Sequence, residues 1–105
     1  MILLREEVDF DIEVIRENSL VLVDFYADWC EPCKWLDQIL RSLEPKLEGV
    51  VSIIKVDIEL HQSLKERFFI MGIPVLMLFK NGVEVWRMNG FLAENELFEK
   101  LQSFL

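Results

Sequence analysis

Cysteine and histidine are scarce in this chain of 105 residues, which carries two cysteines, Cys30 and Cys33, and one histidine, His61. A secreted disulfide scaffold needs a larger set spread along the chain, and a structural zinc site needs four ligands. Covalent haem attachment requires a histidine directly after the second cysteine, where Lys34 stands. A bridge between residues three apart closes too small a loop to constrain the unfolded chain much, so stapling does not explain the pair. Four glycines and three prolines leave no room for a flexible linker, and no repeat or low-complexity segment interrupts the chain. The longest apolar stretch, Met71 to Phe79, is broken by Gly72 and Pro74 and is too short to cross a bilayer. The start, Met1-Ile2-Leu3-Leu4-Arg5-Glu6-Glu7, lacks the basic, apolar and small-residue segments of a signal peptide, so a cytoplasmic protein is expected. Basic residues are also in deficit. Eleven against nineteen acidic ones leave a net charge of −8, which repels nucleic acid and anionic membrane surfaces.

What is abundant is hydrophobic sequence, 52% of the chain, enough for one domain spanning 1–105. Ile2 to Arg5 reads as a short strand, and Asp9 as the N-cap of a short helix carrying Phe10, Val14 and Ile15 on one side and ending near Asn18. Leu20 to Tyr26 is β-rich without alternation, as in a strand buried on both faces. Leu36, Leu40, Leu43 and Leu47 recur at helical spacing, with Pro45 expected to bend or end that helix. Val50 to Asp57 is a second buried strand, and Ser63 to Phe68 a short helix. Val75 to Lys80 and Val83 to Met88 flank Asn81-Gly82, a strong hairpin signal. A last amphipathic helix carries Leu97, Phe98, Leu101 and Leu105. The order β-α-β-α-β-α-β-β-α predicts an α/β fold with a mixed sheet.

The chemistry centres on Trp29-Cys30-Glu31-Pro32-Cys33, placed between a strand and the leucine-striped helix. Pro32 suits the first turn of a helix, where its missing amide hydrogen costs nothing. A sulfur at a helix start meets free backbone amides and the positive end of the macrodipole, which stabilise a thiolate. The three-residue offset returns the second sulfur over the same helix end. A C-x-x-C placed this way signals redox exchange.

The segment Asp24-Phe25-Tyr26-Ala27-Asp28-Trp29-Cys30-Glu31-Pro32-Cys33-Lys34 resembles the active site of the thioredoxin family. Lys55-Val56-Asp57, Gly72-Ile73-Pro74-Val75, Phe79-Lys80-Asn81-Gly82 and Gly90 fall where that family carries similar motifs, so the likeness covers nearly the whole chain. It implies a thioredoxin fold, with a five-stranded mixed sheet flanked by four helices, and protein disulfide reductase activity. It also implies no bound cofactor, because NADPH and flavin belong to a partner reductase that recharges the dithiol. Disulfide-bearing proteins are the implied substrates, and a monomer is expected. A disulfide oxidase or isomerase and a non-catalytic binding module on the same fold are the competing readings. Glu31, Tyr26 and Gln38 depart from the family pattern, standing for glycine, tryptophan and a helix-kinking proline.

In this resemblance Cys30 is the nucleophile and Cys33 resolves the mixed disulfide. Asp24, a carboxylate amid Leu22, Val23 and Phe25, is the matching base for Cys33, since burial raises a carboxyl pKa toward neutrality. An ion pair with Lys55 is the other reading, and it predicts the opposite shift. Pro74 is expected to be cis, with Ile73 offering backbone hydrogen bonds to substrate, and Pro32, Ile73, Pro74 and Gly90 forming an apolar landing surface. Trp29 packs beside the site or is an ordinary aromatic, and His61 reads as a surface side chain. Glu31 tunes Cys30: at about 8 Å and an effective dielectric near 40 its charge opposes the thiolate by about 1 kcal/mol.

Overall fold

The computed structural model describes residues 1–15 and 19–105. Among these, β1 (Ile2–Leu3), α1 (Asp9–Val14), β2 (Leu20–Tyr26), α2 (Glu31–Leu47), β3 (Val51–Asp57), α3 (Gln62–Arg67), β4 (Val75–Lys80), β5 (Val83–Asn89) and α4 (Glu94–Gln102) follow the expected order. The sheet runs β1-β3-β2-β4-β5. β1, β3 and β2 are parallel, and β4 and β5 are antiparallel additions.

Alternation along β2 sorts the molecule into two apolar layers. Val21, Val23 and Phe25 pack with Phe10 and Val14 of α1 and Leu64 of α3. Leu20 and Leu22 face the other way, against Leu36, Leu40, Leu43 and Leu47 of α2 and Leu97 and Leu101 of α4. Helices cover both faces of the central strand, which explains why β2 reads as a continuous hydrophobic run. The same alternation sends Asp24 and Tyr26 toward α2, where β3 contributes Lys55 and Asp57 beyond Val51 and Ile53. Asn81 and Gly82 take φ of 51° and 81°, the paired left-handed conformations that a two-residue hairpin turn requires.

Several local expectations give way to packing. Asp9 is the first residue of α1, with Val8 at the N-cap and no side-chain cap bond, and Ile15 lies beyond the helix and is exposed. The expected end near Asn18 lies outside the described residues. β1 is two residues long, although the Leu4 amide still donates to the Lys55 carbonyl at 2.9 Å. Leu105 lies past α4 and is exposed. His61 is buried, against expectation, with Nε2 3.0 Å from the Leu4 carbonyl oxygen. That contact joins residues distant in sequence, so no local pattern announces it.

Pro45 does not end α2, which continues to Leu47. Its ring and Arg41, whose carbonyl loses a partner, lie on the exposed side, while buried Leu43 and Leu47 anchor the last turn. Proline still disfavours a helix interior by about 3 kcal/mol relative to alanine, partly offset by about 1 kcal/mol of restricted unfolded chain. Pro45→Ala is therefore expected to stabilise the protein by about 1–2 kcal/mol. A urea midpoint that fails to rise would show that the proline relieves a conflict in the last turn.

Candidate active site

Cys30 is the N-cap of α2, in extended conformation with φ −91° and ψ 110°. Its sulfur accepts from the Cys33 amide at 3.2 Å, so one of the helix's free N–H groups is spent on sulfur. The two cysteines form a disulfide with Cα atoms 5.2 Å apart, within the usual span of such bonds. Exposure does not rank them, for Cys30 is 4% and Cys33 3% accessible.

Their surroundings do separate them. Cys30 lines an open groove of about 390 Å³ with Trp29, Pro32, Ile70, Met71 and Ile73. Its sulfur is 3.9 Å from the Ile73 carbonyl oxygen. The Ile73–Pro74 peptide is cis, as expected, and the Gly90 amide donates to the Pro74 carbonyl at 2.8 Å. Gly90 has φ of 110°, a conformation that side chains rarely adopt. Pro74 itself is buried, leaving half-buried Ile73 and Gly90 nearer the surface. Trp29 is exposed, and its indole N–H donates to Glu59 at 2.7 Å. Glu31 is exposed and ion-paired with Lys34 at 2.9 Å.

Cys33 lines a second cavity, of about 290 Å³, with Tyr26, Lys34, Asp37, Gln38 and Lys55. The Lys55 ammonium is hydrogen-bonded and ion-paired to Asp37 and lies 4.3 Å from the centre of the Tyr26 ring. Arg41 adds a second bond to Asp37, at 2.7 Å. Burial opposes ionisation of Asp37, but the Lys55 and Arg41 bonds and charges outweigh it and hold its carboxyl below the usual range. Asp24 is fully buried, and neither of its oxygens has a hydrogen-bond partner. Burial pushes its carboxyl up to about 7, against the Lys55 charge and with help from Asp37. Burial and the neighbouring carboxylates likewise push the Tyr26 phenol up to about 12. The ion pair weighed for Asp24 and Lys55 is absent, because Lys55 is engaged by Asp37. Asp37 and Glu59 did not stand out as site residues in the sequence. Asp37 carried one signal, its place four residues after Cys33 on the same helix face.

An open α/β sheet that delivers a C-x-x-C disulfide to a helix N-terminus, beside a cis-proline loop, defines a dithiol–disulfide exchange protein. The thioredoxin family model matches residues 1–103. Thioredoxin from Staphylococcus aureus is 37% identical over 99 residues, covering 94% of this chain and 93% of that one. Thioredoxin Y, chloroplastic, from Oryza sativa subsp. japonica is 36% identical over 96 residues, and the match spans 91% of this chain but 57% of the rice protein. The structure of a mutant thioredoxin from Halobacterium salinarum superimposes with a TM-score of 0.86 at 30% identity, covering 98% of this chain and 88% of that one. The chain belongs to the thioredoxin family. It is a protein-disulfide oxidoreductase whose redox centre is the Cys30–Cys33 disulfide, with the fold that the sequence predicted.

Asp24 makes folding stability depend on pH. Between pH 3.8 and about 7 the unfolded chain releases a proton that the folded chain keeps, so stability falls as pH rises. Over that span the loss is about 4 kcal/mol. The stability advantage of Asp24→Asn over the native chain is therefore expected to grow by about this amount between pH 4 and pH 8, read as urea midpoints of the oxidised proteins. A difference independent of pH, or one turning toward the native chain at pH 8, would mean that the carboxyl is paired in solution.

Proposed function

We propose that this protein is a cytoplasmic electron carrier that reduces disulfides of other proteins, with Cys30 as nucleophile and Cys33 as resolving thiol. The observation that carries this division of labour is that the two cysteines line different cavities. An extended substrate segment fits the groove at Cys30, with Trp29, Pro32, Ile73 and Gly90 as apolar surface over buried Pro74, and the Ile73 backbone as hydrogen-bonding partner. The Cys30 thiolate attacks one substrate sulfur, and the other leaves as a thiolate that takes up a proton. Cys33 then gives its proton to the Asp24 carboxylate, directly or through water, and attacks the Cys30 sulfur. The second substrate sulfur leaves, so two electrons pass to the substrate and the Cys30–Cys33 disulfide reforms. A reductase carrying flavin and drawing on NADPH returns the electrons.

A reducing compartment suits this cycle, because the dithiol must be restored after each turnover. The whole of 1–105 acts as one domain and as a monomer in this reading. Lys55 tunes the base, and Glu31 tunes the nucleophile from the helix start, opposed by its partner Lys34.

Two measurements test the assignment. Cys33→Ser is expected to accumulate a mixed disulfide on Cys30 with a disulfide-bearing protein, and Cys30→Ser almost none, read by mass spectrometry under non-reducing conditions. The reverse pattern would exchange the two roles. Glu31→Gly leaves the Lys34 charge uncompensated and is expected to lower the Cys30 pKa, speeding alkylation at pH 7 by about threefold or less. Lys34→Ala leaves Glu31 uncompensated and is expected to slow alkylation, both effects shrinking with added salt. Rates that stay the same in both variants would remove Glu31 from the tuning of Cys30.

A further inference from the structure

Asp24 and Lys55 are directly paired positions of β2 and β3, so their side chains leave the same face of the sheet side by side. A lysine in that place has the reach to bond the carboxylate next to it. It does not do so here. Both Asp24 oxygens are buried without a hydrogen-bond partner, while the Lys55 ammonium is bonded to Asp37 and seated against the Tyr26 ring. Asp37 in turn is gripped by Arg41, one helical turn further along α2.

We propose that Asp37 is a positioning residue for disulfide exchange: braced by Arg41, it holds Lys55 toward the Tyr26 ring and away from the Asp24 oxygens. The arrangement keeps Asp24 free of a cation that would hold it ionised and make it a weaker base. Asp37 acts twice in the same direction, by engaging Lys55 and by placing its own negative charge near Asp24. The other groups on this side of the sheet do not substitute for it. Tyr26 on β2 carries no charge near neutral pH, with its phenol pushed up to about 12. Asp57 on β3 accepts from the Glu59 amide, Asp28 after β2 lines the cavity at Cys33 and acts on the Tyr26 phenol, and β4 offers Asp24 only the apolar Leu76 as register partner. On α2 the remaining titratable neighbour is Cys33, the thiol that Asp24 serves and a group that does not titrate while disulfide-bonded. Arg41 is exposed and committed to Asp37, and Lys34 is committed to Glu31.

The inference rests on Asp24 being the base for Cys33, and the test separates the two ideas. The Asp24 carboxyl is followed by carbon NMR between pH 4 and pH 9 in the oxidised protein, in the native chain, Asp37→Asn and Asp37→Glu. Asp37→Asn is expected to lower the titration midpoint by about 1 pH unit or more, because Lys55 is released toward Asp24. Asp37→Glu, which keeps the charge, is expected to retain most of the native midpoint. A midpoint that stays in place or rises in Asp37→Asn overturns the proposal, whatever Asp24 does in exchange. In parallel, the rate at which Cys33 resolves a preformed mixed disulfide is measured against pH in the same proteins. Its inflection is expected to move with the NMR midpoint. If the midpoint moves and the resolution profile does not, Asp37 positions Lys55 as proposed and it is the base role of Asp24 that fails.

Discussion

The structure depends on how β2 hands the chain to α2. β2 is the middle strand of the sheet and is buried on both faces, so its end at Tyr26 has little freedom. The leucine stripe fixes α2 equally firmly against the opposite layer. Between these two anchors the chain has four residues, Ala27 to Cys30, in which to turn and begin a helix. That confinement puts Cys30 at the N-cap, where free amides demand an acceptor and a sulfur supplies one. Cys33 follows within the first turn, close enough to bond yet lining another cavity.

The layer beneath that junction carries a conflict that the rest of the core must offset. Alternation in β2 and β3 gives the α2 side of the sheet four apolar positions, Leu20, Leu22, Val51 and Ile53, and then turns polar at Asp24 and Lys55. The apolar end packs against the body of α2, and the polar end lies under its first turns. Burying an unpartnered carboxyl costs stability above pH 3.8, the more so as the pH approaches 7. The same burial moves the proton affinity of the group to about neutral pH. Burial thus works against ionisation of this one side chain, and the two apolar layers supply the margin of stability.

Features legible in the sequence were those set by neighbours a few residues away. The hairpin at Asn81-Gly82 needs two left-handed residues and names them directly. The α2 stripe was plain because four leucines repeat at one period. Pro45 allowed either a bend or an end, and the leucine stripe, which already ran on to Leu47, marked how far the helix goes. His61 was misread because its partner, the Leu4 carbonyl, comes from the far end of the chain. Asp9 resembled a cap, but α1 begins one residue too early for its side chain to serve as one.

The sequence by itself determined the element order, the mixed sheet, the redox pair and its place at a helix start. Those follow from hydrophobic period, turn chemistry and a spacing of three residues, all of which act over short stretches of chain. Only the tertiary structure decided which carboxylate Lys55 bonds, whether Asp24 is left without a partner, and which cavity each cysteine lines. These are outcomes of distance and desolvation among β2, β3, α2 and the Ile73–Pro74 loop. Asp24 and Asp37 are chemically identical side chains, and their burial and their bonds to Lys55 and Arg41 make one titrate near neutral pH and hold the other as an anion.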